Sequence, residues 1–431
     1  MKDKKLLISF ILLFCICLPV SAQRTVNFWF YGADNQVKIM EQFIADFEAE
    51  HPDIKVQMRV VGAPGIDQWI VAIIGGVGPD VTMGNLGFFK ALTDAIQPLD
   101  EFIANSDVID PADFWPAHWD AQIYGGQMMG LPFRANSQVI IYNKDLFEEA
   151  AIAEVPTTWD DFAFATSKLT QRSADGQLER WGYSFRTHGG LGGSYARTVN
   201  HWAERNGWIS FNEDYTEAYY TDPALIETLE YLYDLTHNFR VAGYLGAPEG
   251  KLGTDGLAMG TVAMLTEGPW SFSFLLSSNP NLNLGTFLPP VGPSGRQPYA
   301  NMGGENLIMF KTASDKEAAF EFMVYLARER NLDYNRIAAD FFPVVNEAVT
   351  DPYFQSEMWQ AVMQNYIEGI GKPNPAGAPG GVEFLSNTLY EQMLEQIFYA
   401  NAISPAVAMT QVQEMAERDI AQEELRAYFD R

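Results

Sequence analysis

The chain has 431 residues, 55 acidic against 28 basic, and a formal net charge of −27. That balance excludes the basic faces by which proteins hold nucleic acid or anionic membranes. Its length and 47% hydrophobic content supply more core than one ordinary domain needs, so two lobes are the natural expectation.

Lys2, Lys4 and Lys5 precede an apolar run from Leu6 to Leu18, and Val20-Ser21-Ala22 follows. A charged start, a short apolar middle and small residues at −3 and −1 predict a cleavable secretory signal over residues 1–22. The run is shorter than the roughly 20 residues that cross a bilayer. Cleavage after Ala22 places the working protein in the periplasm. Both cysteines, Cys15 and Cys17, lie inside the signal, which leaves the mature chain without disulfides or thiolate chemistry. Phe14 and Ile16 precede them where a lipoprotein signal carries small residues, which argues against a lipid anchor.

Thr25–Tyr31 reads as a buried strand. Val37, Met40, Ile44 and Phe47 fall at the spacing of one helix face, and His51-Pro52 ends that helix. Ile54, Val56, Met58 and Val60 then alternate with Lys55, Gln57 and Arg59, the period of a strand. A helical stretch over Gln68–Ile74 leads through Gly75-Gly76 and Gly78-Pro79 to a short strand at Asp80–Met83. Strand, helix, strand, helix, strand implies a parallel sheet flanked by helices, whose ligands sit beyond the strands' carboxyl ends. Tyr31, Gly32, Asp34 and Asn85 occupy such ends, and Gln68 lies on a helix facing the same edge. Trp69 beside it reads as core.

Further on, Ile140–Tyr142 reads as a strand, Asn143–Ala150 as a short helix and Thr157–Asp160 as a capped helix start. Val262–Leu265 is another short strand, followed by Glu267-Gly268-Pro269-Trp270 opening a helix. Lys316–Leu326 is helical, Lys372–Gly381 is a Pro/Gly loop, and two helices close the chain. Gly189–Gly193 lacks the Gly-Lys-Ser/Thr of a phosphate loop and the dinucleotide spacing; its glycines suit a tight turn or a close backbone approach to a ligand. The five histidines show no metal-ligand spacing, and no Gly-x-Ser-x-Gly elbow is present, so neither metal nor cofactor is expected.

Taken in order, these segments resemble a known family. Thr25–Trp29 with the helix and His51–Gln57, Gly78–Val81, Gly130–Pro132 leading to Tyr142–Phe147, and Pro156–Phe162 match its opening half. Gly260–Met264, Gly268–Trp270 and Gly303-Gly304 follow. The chain resembles the extracellular solute-binding proteins of ABC importers, in the branch that includes the maltose-binding protein. Glu267 departs from a common Asn and Glu305 from a common small or aromatic residue.

The resemblance implies an α/β Venus-flytrap fold, each lobe a mostly parallel sheet flanked by helices and joined to the other by hinge strands. It places lobe one at 23–134 plus 303–330 and lobe two at 135–302 plus 331–431. It implies a monomer without enzymatic activity that captures a sugar or oligosaccharide between the lobes. The captured solute passes to membrane permease subunits driven by a cytoplasmic ATPase. By matched position, Trp270 is the stacking ring; otherwise it is a core Trp at a helix start. Glu267 would accept from hydroxyls or from a cationic group, or favour the helix dipole. Arg134 and Asn136 stand at the first crossing, as ligand contacts or hinge supports, and Gly303 and Glu305 at the second. Phe185, Arg186 and Tyr195 form a further wall. Glu383, Phe384 and Phe341 complete the set. A polyamine-like cation and, further off, an exported glycoside hydrolase are the alternatives. Aromatic residues at 13% favour sugar, whose C–H faces stack on rings.

Overall fold

A computed structural model of the chain describes residues 23–429 other than 33, 63–68, 70, 74, 85–91, 189, 213–215, 248–250, 299, 368–370 and 374–381. The expected signal, the Pro/Gly loop beyond Pro373, and Gln68 and Asn85 lie outside these residues, as do the side chains of Glu383 and Phe384.

The opening follows its hydrophobic periods. Strand β1 (Arg24–Phe30) turns Val26, Phe28 and Phe30 to one face and Trp29 to the other. The first face packs on Met40, Phe43, Ile44 and Phe47 of helix α1 (Asp34–Glu50). Trp29 meets Trp69 edge-on at 5.8 Å, and Trp69 is fully buried. Strand β2 (Ile54–Val60) buries Ile54 and Val56 and exposes Lys55 and Gln57. Strand β3 is Val81–Gly84. Strands β1, β2 and β3 run parallel, so their carboxyl ends share one edge.

Strand β4 (Leu131–Ser137) ends in this first sheet, and only Gln138 separates it from β5 (Val139–Asn143) in a second sheet. The second sheet adds β6 (Leu178–Ser184), β7 (Ala242–Gly243), β8 (Val262–Glu267) and β9 (Leu284–Phe287), in the order β7-β6-β8-β5-β9. The chain then returns as β10 (Ala300–Met309), which inserts between β3 and β4. Strands β11 (Phe342–Pro343) and β12 (Gly371–Pro373) complete the first sheet, ordered β11-β4-β10-β3-β1-β2 with β12 on β10. The parallel sets are β2-β1-β3 and β7-β6-β8, and β12 also runs parallel to β10. Antiparallel pairing enters each sheet with the strand that follows a crossing, β5 in one and β10 in the other.

Helices cover both sheets. In the second lobe α2 (Trp159–Leu169), α3 (Leu191–Arg205) and α4 (Pro223–Tyr233) share a core with Tyr183 and Met264. Helix α5 (Gly253–Met259) precedes β8, and α6 (Phe272–Ser278) follows it. In the first lobe α7 (Lys316–Val324) brings Phe322 against Phe28 and Phe47, at 5.2 Å from each. Helix α8 (Asn331–Ala338) brings Tyr334 to 5.4 Å from Phe43. This corrects the expected partition. Residues 331–343 pack with the first lobe, because β11 pairs with β4 there. Helices α9 (Val382–Leu394) and α10 (Pro405–Phe429) return to the second lobe, where Leu394, Met409 and Val412 are fully buried. Trp359 joins the lobes, edge-on to Phe272 of α6 at 5.1 Å and tilted on Phe342 of β11 at 5.9 Å.

Candidate functional site

Strand register assembles the first-lobe side. In the β4–β10 ladder Arg134 lies directly opposite Glu305. Arg134 Nε–H donates to Glu305 Oε2, and the Tyr31 hydroxyl, one residue past β1, donates to Oε1. The Arg134 guanidinium sits 3.9 Å from the centre of the Phe341 ring, a cation–π contact. The arginine side chain is 1% exposed and that of Glu305 13%, so the group opens to solvent through the carboxylate. Burial is the largest single influence and works against the Arg134 charge, but Glu305, Tyr334 and Tyr31 together outweigh it and the pKa rises. Burial, then the Glu305 charge, pushes the Tyr31 hydroxyl well above its ordinary value. Burial likewise pushes Tyr334, facing Arg134, up to about 12.

The second-lobe side follows from parallel register. Leu265 of β8 pairs with Ser184 of β6, so two residues further on Glu267 meets Arg186. Arg186 Nη1 and Trp270 Nε1–H both donate to Glu267 Oε1, the latter at 2.6 Å. His188 Nδ1 is 3.6 Å from Oε2, and the Arg186 guanidinium is 5.1 Å from the Trp270 ring centre. Glu267 is buried, whereas His188 is exposed at the rim. The hydrogen bond with Glu267 raises His188, and burial lowers Arg186 despite Glu267; an arginine still stays cationic. The Trp270 ring folds back over Gly268, where an added Cβ would lie 2.2 Å from Cη2. That close approach is what the Gly-Pro-Trp run requires.

A third group spans the seam between the lobes. Asp340, buried beside Phe341, accepts from Gln36 Nε2 of α1 at 2.6 Å. Its other oxygen accepts from the Ser273 backbone N–H of α6 at 3.2 Å, and Asn35 Nδ2 donates to Ser273 Oγ at 3.0 Å. A first-lobe carboxylate thus satisfies an orphan N–H in the first turn of a second-lobe helix. Burial raises the Asp340 pKa.

Of the residues expected from sequence, Tyr31, Arg134, Glu305 and Phe341 come together, as do Arg186, Glu267 and Trp270. Asn136 and Gly303 face each other across β4 and β10, where a Cβ on Gly303 would fall 2.5 Å from Asn136 Oδ1. Gly32 and Asp34 are exposed beside Gln36 and at the head of α1. Phe185 and Tyr195 are corrected. Both are fully buried in the second-lobe core, 5.4 and 5.5 Å from Phe398, so they wall no cleft. The glycine run is resolved likewise. Gly190 makes a left-handed turn at φ +80°, and Gly192 admits Glu391 of α9, whose Cβ would be 2.7 Å from an added one. His188, Gln36, Asp340 and Ser273 were not foreseen. The last three join only through packing between lobes, which leaves no local pattern.

Glu305 and Glu267 are therefore each matched by an arginine beside an aromatic ring, one in each lobe. Among the described residues no group of acidic and histidine side chains could hold a metal, and no helix is long and apolar enough to cross a membrane.

Comparison with known proteins bears on the family and the fold. Residues 42–362 match the family model described as bacterial extracellular solute-binding protein. A maltotriose-binding protein of Pyrococcus abyssi is 23% identical over 376 residues, covering 83% of this chain and 76% of that protein. An ABC substrate-binding protein from Listeria monocytogenes in complex with cycloalternan superposes with a TM-score of 0.77 at 23% identity, over 93% of this chain and 99% of that one. A solute-binding protein from Thermotoga lettingae bound to alpha-D-tagatose gives 0.76 at 21% identity, over 92% and 100%.

Proposed function

Because the chain belongs to the bacterial extracellular solute-binding proteins, we propose that it captures a neutral carbohydrate between its lobes and delivers it, chemically unchanged, to an ABC permease. The observation that carries this reading is charge matching in the cleft. Glu305 is held by Arg134 and Tyr31, and Glu267 by Arg186 and Trp270. A polyamine site needs unmatched carboxylates facing the ligand, since a buried cation without a partner is costly. A glycosidase needs a carboxyl free to give a proton to the leaving oxygen, and both carboxyls here are engaged by donors from the protein. Aromatic faces beside fixed donors and acceptors suit a sugar, whose C–H faces stack while its hydroxyls hydrogen-bond. Several relatives are named with sugars, from tagatose to maltotriose and cycloalternan, and others with sn-glycerol-3-phosphate.

The working cycle is hinge closure. A ligand touching both the Arg134–Glu305 side and the Glu267–Trp270 side favours the form in which the two approach. The closed form then docks on two permease subunits powered by a cytoplasmic ATPase. Export with removal of residues 1–22 and action as a monomer belong to the same reading.

The test is a thermal-shift screen against mono- and oligosaccharides, polyols and polyamines. A bound sugar raises the midpoint by mass action. Trp270→Ala is expected to abolish that rise and weaken affinity by about tenfold or more, with the unliganded midpoint little changed. Full retention of sugar affinity in that variant, or a rise with spermidine alone, contradicts the reading.

A further inference from the structure

The rim of the second lobe continues past the groups already described. Strands β7, β6 and β8 are parallel, so all three end at one edge, the edge from which Glu267 and Trp270 project. From β8 emerge Glu267 and Trp270, and from β6 emerge Arg186 and His188. From β7, the outermost strand, emerge Tyr244, Leu245 and Gly246. The Tyr195 hydroxyl ties this last turn to the head of α3 by donating to Leu245 O at 2.5 Å.

Over that turn lies Tyr399. Gly246 has φ +95°, and a Cβ there would fall 2.5 Å from Tyr399 Cδ2 and 2.6 Å from Cε2. No side chain fits at 246 while the ring is in place. Tyr399 is nevertheless 56% exposed. Its position is held from behind: Phe398 is fully buried against Phe185 and Tyr195, and Tyr233 donates to Asn401 Oδ1 at 2.8 Å. Tyr244 is half-buried alongside and stacks on His237 at 5.2 Å. The result is a large ring fixed on backbone at one side and open at the other.

Two strand spacings separate β7 from β8, about 10 Å. That is the span of a short oligosaccharide rather than of one sugar ring. We propose that Tyr399, seated on Gly246, is a distal stacking platform that extends the Trp270 side of the cleft and selects oligosaccharides over single sugars. This rests on the carbohydrate reading and adds to it a ligand length and a residue that sets it.

The test is titration calorimetry with linear maltooligosaccharides from two to six units and, in parallel, β-1,4-mannooligosaccharides. Wild-type affinity is expected to rise with length and then level. Tyr399→Ala is expected to lower affinity for the longer sugars by about fivefold and leave the shortest ligand within twofold. Tyr399→Phe, which keeps the ring, restores the gain. Equal losses at every length, or no loss at any, overturn the platform while leaving the carbohydrate reading intact if Trp270→Ala still removes the thermal shift. Wild-type protein that binds neither these series nor any sugar of the thermal-shift screen overturns both.

Discussion

His118 and His201 sit where a positive charge is hard to place. His118 faces Gly303 O of β10 at 3.1 Å, and burial lowers its pKa to about 4 against that carbonyl's pull. Burial, with Arg205 adding to it, lowers His201 to about 3. In the unfolded chain both take up protons near pH 6.5. Their contribution is therefore complete above that value and is lost as pH falls toward 4 and 3, at about 1.4 kcal/mol per pH unit for each. Calorimetric scans are expected to show the melting temperature dropping over this range, with His118→Gln flattening the drop; an unchanged slope would contradict the assignment. His188 goes the other way, raised by Glu267, but its exposure screens the effect. At this scale the sequence named Arg134, Glu305, Arg186, Glu267 and Trp270 from motif position. It did not name their pairings, because register decides those. Phe185 and Tyr195 were misplaced for a related reason: an aromatic just past a strand, or in the first turns of the helix after it, reads alike whether it turns to the cleft or to the core.

Among elements, the α3–α9 crossing depends on one missing side chain. An added Cβ at Gly192 would stand 2.7 Å from Glu391 Cβ and 2.9 Å from its carbonyl, whereas at Gly193 the nearest atom is 3.6 Å away. Gly192→Ala is expected to cost about 1–3 kcal/mol through overpacking, and Gly193→Ala almost nothing. Urea unfolding of the two variants checks this, and the reverse order would refute it. Elements with a long period were legible: β1, α1 and β2 lie within a few residues of their expected bounds. Strand β11 has only two residues and no period to detect, so 331–343 was assigned to the wrong lobe. Helix α3 opens with glycines, poor helix formers, which disguised it as a ligand loop.

For the molecule as a whole, the ordered motifs were enough to indicate two hinged lobes, but not the bridge between them. Asp340 joins Gln36 of one lobe to Ser273 of the other while buried, and burial raises its pKa. A raised carboxyl favours the protonated native state, so its contribution is present at low pH and is lost as pH rises through the folded value. Asp340→Asn keeps an acceptor for the Ser273 N–H without the buried charge. Its melting temperature is expected to exceed wild type at pH 7–8 and to match it near pH 4; a loss confined to pH 7–8 would show instead that the charge itself holds the seam. The route of the chain has another outcome. Strand β10 alone joins β3 to β4, and it begins at residue 300. Until the ribosome has released that stretch, the first sheet is two fragments with open edges. In a chain of this extracellular family the first lobe therefore sets only once the last third has followed, whereas every strand of the second sheet is already made.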